Sequence, residues 1–194
     1  MSQLETRAQR DLTAMIRGQQ VYLSADRQAA VAAWACKIAM MLEYAGDGNR
    51  ERYFAQEERN YLRENAQPPP GVVVCLGYYF GAQHIWVHGF DGTNTSQDGE
   101  VADACAAGMS FGKLFIYAIS KRTRETRYPF RRAVADAILV QVWPVVGDVA
   151  EWPPPEGITT PQRDELTEAD QEEQLHPRSL NRPAKYLPSR ITAR

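Results

Sequence analysis

Six basic side chains fall within twelve residues in the stretch KRTRETRYPFRR: Lys121, Arg122, Arg124, Arg127, Arg131 and Arg132, against the single acid Glu125. Tyr128 and Phe130 are interleaved with them. Guanidinium and ammonium groups neutralise phosphates, and aromatic rings between them offer faces on which bases stack. The chemistry this combination implies is recognition of a nucleic acid or another acidic partner, and no bond needs to break. The plainer alternative is a solvated loop, or a surface on which an acidic segment of the same chain lies down. A second basic group, Arg178, Arg182, Lys185 and Arg190, lies near the C-terminus and is expected to add contacts to the same kind of partner.

Other residues with chemical potential are weaker candidates. His84, His88, Cys75 and Cys105 have zinc-ligand chemistry, but two residues four apart on one strand are separated by about 13 Å, too far to share an ion. No metal or other cofactor is expected. Lys37 stands among apolar helix neighbours, where desolvation lowers a lysine pKa and makes an amine base or nucleophile. The commoner outcome is an amine that reaches water or pairs with a carboxylate, and Glu43 does not share its helical face. Lys37 and Glu43 are therefore kept as a candidate buried polar site. Asp91, Asp98, Glu100 and Asp103 sit in or beside a polar stretch where solvated acids are the default. With three histidines in the chain and no nucleophile-elbow glycines, no Ser-His-Asp or Cys-His set can be assembled, and no catalytic residue is assigned.

The elements that must hold these residues are organised around Ser24 to Tyr44. Ser24 has N-cap chemistry, and Asp26 places a carboxylate near the positive end of a helix. Val31, Trp34, Ala35, Ile38, Met41 and Leu42 form an apolar stripe, and alanines and methionines occupy much of the rest, so this helix is expected to be buried on most sides. Helices are predicted at about 2–17, 25–45 and 55–66, the third closed by Pro68, Pro69 and Pro70. The period then changes. Strands are predicted at about 72–78, 83–90, 110–120 and 137–143, which gives an α+β fold with helices packed on an antiparallel sheet.

With 194 residues the chain suits one well-buried domain, assigned to 1–155, and a tail at 156–194. The tail is first acidic and then basic, holds few large apolar residues, and is expected to be extended unless it docks on the domain or on a partner; a short helix near Thr160 to Glu173 is an option. A net charge of −2 puts any affinity for nucleic acid in local clusters. Three widely spaced cysteines fit reduced thiols in a cytoplasm, and no apolar run is long enough to span a membrane.

The runs MSQLE, MIRGQQ, WACKIAMMLEY, YFAQEERNYLRENAQPPPGVVVCLGYYFG and LVQVWPVVGDVAEWPPP resemble the C-terminal portion of a family of actinobacterial and phage proteins related to HNH endonucleases. The similarity covers about residues 1 to 155 and rests on landmarks: Trp34, Lys37 and Glu43, the Glu57-Glu58-Arg59 segment, Pro69, Leu76 and Gly77, Gly112 and Leu114, and Trp143-Pro144 with Trp152-Pro153. The resemblance implies that a Cys-x-x-Cys knuckle and a histidine-bearing element precede this portion, with Met1 falling on the methionine of that motif. An HNH nuclease needs metal-binding and general-base histidines, and none of those positions falls in this chain.

The expectation is an accessory or binding domain derived from an HNH-like protein, without catalytic activity in this form, that presents Lys121 to Arg132 to nucleic acid. Two alternatives stand beside it. One is a phage or bacterial protein-interaction factor, an inhibitor or assembly protein, that docks through its tail; the other is a part of a metal-dependent nuclease whose catalytic half lies upstream.

Overall fold

The computed structural model describes residues 3–44, 53–82, 85–93, 102–121 and 136–172. Helix α1 (Gln3–Ile16) ends at Gly18, and the chain enters the short strand β1 (Val21–Ser24) before α2 (Ala25–Leu42). Ser24 takes the N-cap position in an extended conformation, but its hydroxyl makes no cap hydrogen bond, contrary to expectation. As the all-round apolar pattern requires, α2 is buried along most of its length. Its one fully buried polar side chain, Gln28, donates to the Leu23 carbonyl at 3.0 Å and so ties the helix start to β1. Helix α3 (Gln56–Asn65) is opened by Glu58, whose carboxylate accepts the Ala55 N–H at 2.8 Å.

Five strands build the main sheet: β2 (Val72–Tyr78), β3 (Ile85–Thr93), β4 (Ala102–Phe111), β5 (Leu114–Lys121) and β6 (Leu139–Trp143), in the order β3-β4-β5-β2-β6. Every bonded pair is antiparallel, so the α+β class and antiparallel sheet expected from the sequence are found. The stretch predicted as one strand at 110–120 is instead the meeting of two. Gly112, at φ +55°, turns the chain between β4 and β5, and a Cβ there would sit 2.5 Å from the Ile16 carbonyl oxygen. Strand β4 escaped the sequence pattern because ADACAAGMSF is made mostly of small residues and lacks the β-branched signature. A second, two-stranded sheet pairs β1 with β7 (Val149–Trp152), setting Val21 opposite Trp152.

Alternation divides the main sheet into two faces. Val72, Val74, Leu76, Ile116, Ala118, Met109 and Val142 pack beneath α1 and α2 together with Trp152, which is fully buried and donates its indole N–H to the Gly77 carbonyl at 3.3 Å. The tryptophan landmarks Trp143-Pro144 and Trp152-Pro153 are both cis peptides. On the opposite face lie Cys75, Tyr79, Ala106, Phe115, Tyr117, Ile119 and Leu139, joined by Ile158.

Ile158 belongs to the segment expected to stay extended unless it docks, with a short helix near Thr160 to Glu173 as an option, and in the structure it docks on the sheet. Its N–H donates to the Tyr78 carbonyl and its carbonyl accepts from Phe80 N–H, at 2.6 and 2.9 Å. Helix α4 (Thr160–Glu172) follows directly, at the place of the short helix the sequence left as an option. A tail with few large apolar residues docks because two of them and one arginine reach a prepared surface. Ile158 is fully buried, Leu166 packs on the same cluster, and Arg163 supplies an aliphatic stem with a charge that finds partners. Gly77 leaves the room: a Cβ at that position would lie 2.5 Å from Ile158 and 2.9 Å from Leu139. No helix among the described residues is long and apolar enough to cross a membrane.

Candidate functional site

Of the basic stretch, only Lys121 is described; Arg122, Arg124, Arg127, Tyr128, Phe130, Arg131 and Arg132 lie outside the described residues, as do the tail residues Arg178, Arg182, Lys185 and Arg190. Lys121 closes β5 in register with Ala104, and its N–H donates to the Gly71 carbonyl at 3.1 Å. A buried strand therefore fixes the point from which the stretch departs. Strands β5 and β6 are both antiparallel to β2, so they run parallel to each other with β2 between them. Lys121 lies at the Val72 end of the sheet and Leu139 at the Gly77 end.

The candidate polar pair Lys37 and Glu43 is not brought together. Lys37 Nζ donates to Glu5 Oε1 of α1 at 2.7 Å, an ion pair of which both sides are about one-third exposed. Glu43 instead takes the Arg59 guanidinium of α3 and the Phe54 N–H, the latter at 3.2 Å. Arg59 also donates to the Met40 and Phe54 carbonyls and lies over the Tyr44 ring. This group fastens α3 to the end of α2. A third pair joins Arg27 to the buried Asp11, and that carboxylate holds the guanidinium pKa above its ordinary value. The three pairs lock helices to one another, and each charged group has a partner of opposite sign.

The thiols are equally unreactive by position. Cys36, Cys75 and Cys105 are all buried, and none of the three is in a disulfide. Burial pushes the Cys75 thiol up to about 12 and raises that of Cys36 as well, with the Glu58 carboxylate adding to the rise at Cys36, so neither is a thiolate at neutral pH. Cys105 packs on the helix side and Cys75 on the other face, which removes them as joint metal ligands. Among the described residues no group of three His, Cys, Asp or Glu side chains could hold a metal ion. A gap lined by Cys36, Ala39, Phe54, Val72, Cys105, Ala118 and Ile119 is too tight for a water molecule.

What the sequence did not single out is the face opposite α1 and α2. Register sets Trp86 beside Ser110 and Ser110 beside Phe115, in one row across β3, β4 and β5. The Trp86 and Phe115 rings lie 6.5 Å apart at 30°, and those of Phe115 and Tyr117 lie 6.3 Å apart at 15°, giving a series of three near-parallel rings. Helix α4 lies against this series. Arg163, only 3% exposed, sets its guanidinium 4.2 Å from the Trp86 ring centroid and 5.3 Å from that of Tyr79. The same guanidinium donates to the Tyr79 hydroxyl at 2.9 Å and to Asp164 Oδ1 at 2.7 and 3.0 Å. Tyr79 also meets the Thr160 hydroxyl at 2.9 Å, and Tyr117 donates to the Leu166 carbonyl at 3.4 Å. A signal existed in the sequence: Trp86, Phe115 and Tyr117 occupy alternate positions on their strands, but only the strand pairing of β4, which was missed, places them side by side.

Comparison with protein-family models, with curated proteins and with solved structures found no match, so the likeness to HNH-related proteins rests on the sequence landmarks alone.

Proposed function

We propose that the chain is a binding domain, HNH-related by its landmarks, that grips nucleic acid through Lys121 to Arg132. One observation carries this: six basic residues and two aromatic ones against a single acid, launched from a buried strand that fixes where the stretch begins. On the folded scaffold such a stretch needs no catalytic centre to be useful, because phosphate contacts supply affinity and ring faces accept bases of any sequence. The basic residues Arg178, Arg182, Lys185 and Arg190 add to the same electrostatic footprint.

The test is the affinity for labelled DNA, single- and double-stranded, across a salt series. Each phosphate contact contributes a slope of roughly 0.7 to 0.9 in log K against log salt, so four or five contacts give a steep line. Reversing charge at Arg127, Arg131 and Arg132 together should flatten that line and remove binding at physiological salt. Binding that is absent, or that ignores salt, overturns the proposal.

A further inference from the structure

We propose that the ring face formed by Trp86, Phe115 and Tyr117 is the base-stacking half of that nucleic-acid site, and that α4 occupies it as an acidic stand-in until a single strand displaces it. The inference rests on the proposed nucleic-acid function and names the surface that would complete it.

Three observations meet on this face. First, the contact α4 makes with Trp86 is the kind a base would make: a planar, delocalised group laid 4.2 Å from a ring centroid, with a second aromatic ring at 5.3 Å. Second, the Ser110 hydroxyl in the same row is fully buried and has no hydrogen-bond partner. A buried hydroxyl left unpaired is costly, and α4 does not satisfy it, whereas a base edge carries both donors and acceptors. Third, the charges match. The helix sequence TPQRDELTEADQE contains Asp164, Glu165, Glu168, Asp170 and Glu172 against the one base Arg163, so the segment is as anionic as a short run of phosphates.

Direction strengthens the match. Thr160 meets Tyr79 beside the Leu114 end of β5, and Leu166 meets Tyr117 three residues further along that strand. The helix thus advances toward Lys121, where the basic stretch begins. An acidic segment on the ring face and a basic segment leaving the end of the same strand are suited to each other in one molecule, and each is suited to a nucleic acid in its place: the rings for bases, the guanidinium groups for phosphates. Helix α4 is held to this face by polar contacts through Arg163, Thr160 and the Leu166 carbonyl together with the Leu166 side chain, contacts that a competing ligand can replace.

The experiment uses the full chain and a fluorescein-labelled oligothymidylate, with affinity read by anisotropy and the release of α4 by amide hydrogen exchange. Arg163→Glu sets a carboxylate over the Trp86 ring and beside Asp164, and it should raise affinity by tenfold or more while α4 amides exchange fast and β5 amides stay protected. Adding Trp86→Ala to that variant should lower affinity by about 10- to 100-fold. In the unaltered protein, saturating oligothymidylate should speed exchange in α4. If α4 opens in Arg163→Glu with no gain in affinity, the ring face is not a binding surface; salt-sensitive binding that persists in the unaltered protein then leaves the basic stretch standing alone. If no variant binds the oligonucleotide or duplex DNA, both proposals fall. Should Arg163→Glu unfold the whole chain, the unaltered protein decides, because α4 amides that stay protected under saturating oligothymidylate overturn the inference.

Discussion

On one face of the five-stranded sheet, α1 and α2 bury Val72, Val74, Leu76, Met109, Ile116 and Trp152 in a dry apolar layer, and the charges of that half (Arg27 with Asp11, Arg59 with Glu43, Lys37 with Glu5) stand at its borders. On the other face, three aromatic rings and Tyr79 meet a helix of net negative charge, and a guanidinium enters the layer itself. Hydrophobic burial seals the first face and scales with area removed from water. The second also buries an apolar cluster with Phe115, Ile119, Leu139 and Ile158, and adds directional contacts through Arg163, Tyr79 and Tyr117. The difference separates a face closed chiefly by apolar packing from one in which a buried guanidinium and tyrosine hydroxyls take part in the packing.

The largest expected effect lies on the helix side. Trp152→Ala removes a fully buried ring and its hydrogen bond to Gly77, and should cost about 3–5 kcal/mol in urea unfolding, with the whole transition moving together. A loss below about 1 kcal/mol would mean that this face is not the structural one. Next comes Arg59→Ala, which strands the Glu43 carboxylate in a nearly buried site; about 3 kcal/mol is expected. Glu43→Gln in the same background should recover part of it, because the uncompensated charge is then gone.

The thiols distinguish the faces directly. Folded Cys36 and Cys75 ionise only well above their ordinary value of 9.0, because burial disfavours the thiolate. The unfolded chain therefore releases these protons first as pH rises, so stability contributed by the neutral thiols is complete below 9.0 and is lost above it, by about 1 kcal/mol per thiol one unit higher. Urea midpoints measured across that range check the sign; a midpoint that rises with pH is the opposite result. At neutral pH, Arg163→Ala is expected to cost about 1–2 kcal/mol through the lost ring contact and the Tyr79 hydrogen bond. It should also let a disulfide reagent reach Cys75, on the α4 face, while Cys36 and Cys105 on the helix side stay protected. Equal labelling of all three would show that the faces open together and would break the comparison.

The helix side was legible in the sequence because a single periodicity governs it. The stripe Val31, Trp34, Ala35, Ile38 and Leu42, and the β-branched run at Val72 to Val74, report burial whatever they pack against. The ring face was not legible, for two physical reasons. Strand β4 is built of alanine, glycine and serine where it lies between the rings, so it gave no strand signal. Helix α4 also docks through Arg163, whose charge reads as solvent-exposed until Trp86, Tyr79 and Asp164 are seen around it. Composition predicts poorly wherever a polar residue carries the packing. Lys37 and Glu43 show the converse: Lys37 lies on α2 and Glu43 caps its end, but spacing along one helix could not reveal that Glu5 and Arg59 arrive from two others.

The smallest expected effect makes the sharpest test of that last point. Lys37 lies on α2 and Glu43 caps its C-terminal end, yet Lys37 pairs with Glu5 where water reaches about a third of both side chains, while Glu43 and Arg59 are only 9% and 15% exposed. Screening by solvent reduces the first pair to about 0.5 kcal/mol or less, and its long stem can be replaced by another apolar one. Lys37→Met should therefore leave stability within that margin and be insensitive to salt. Arg59→Met, which removes charge with the same kind of stem, should still cost several times more. If the two substitutions cost the same, ion pairs at the borders of the helix side are equivalent, and the distinction between a locked α2–α3 junction and a loosely joined α1–α2 border would have to be abandoned.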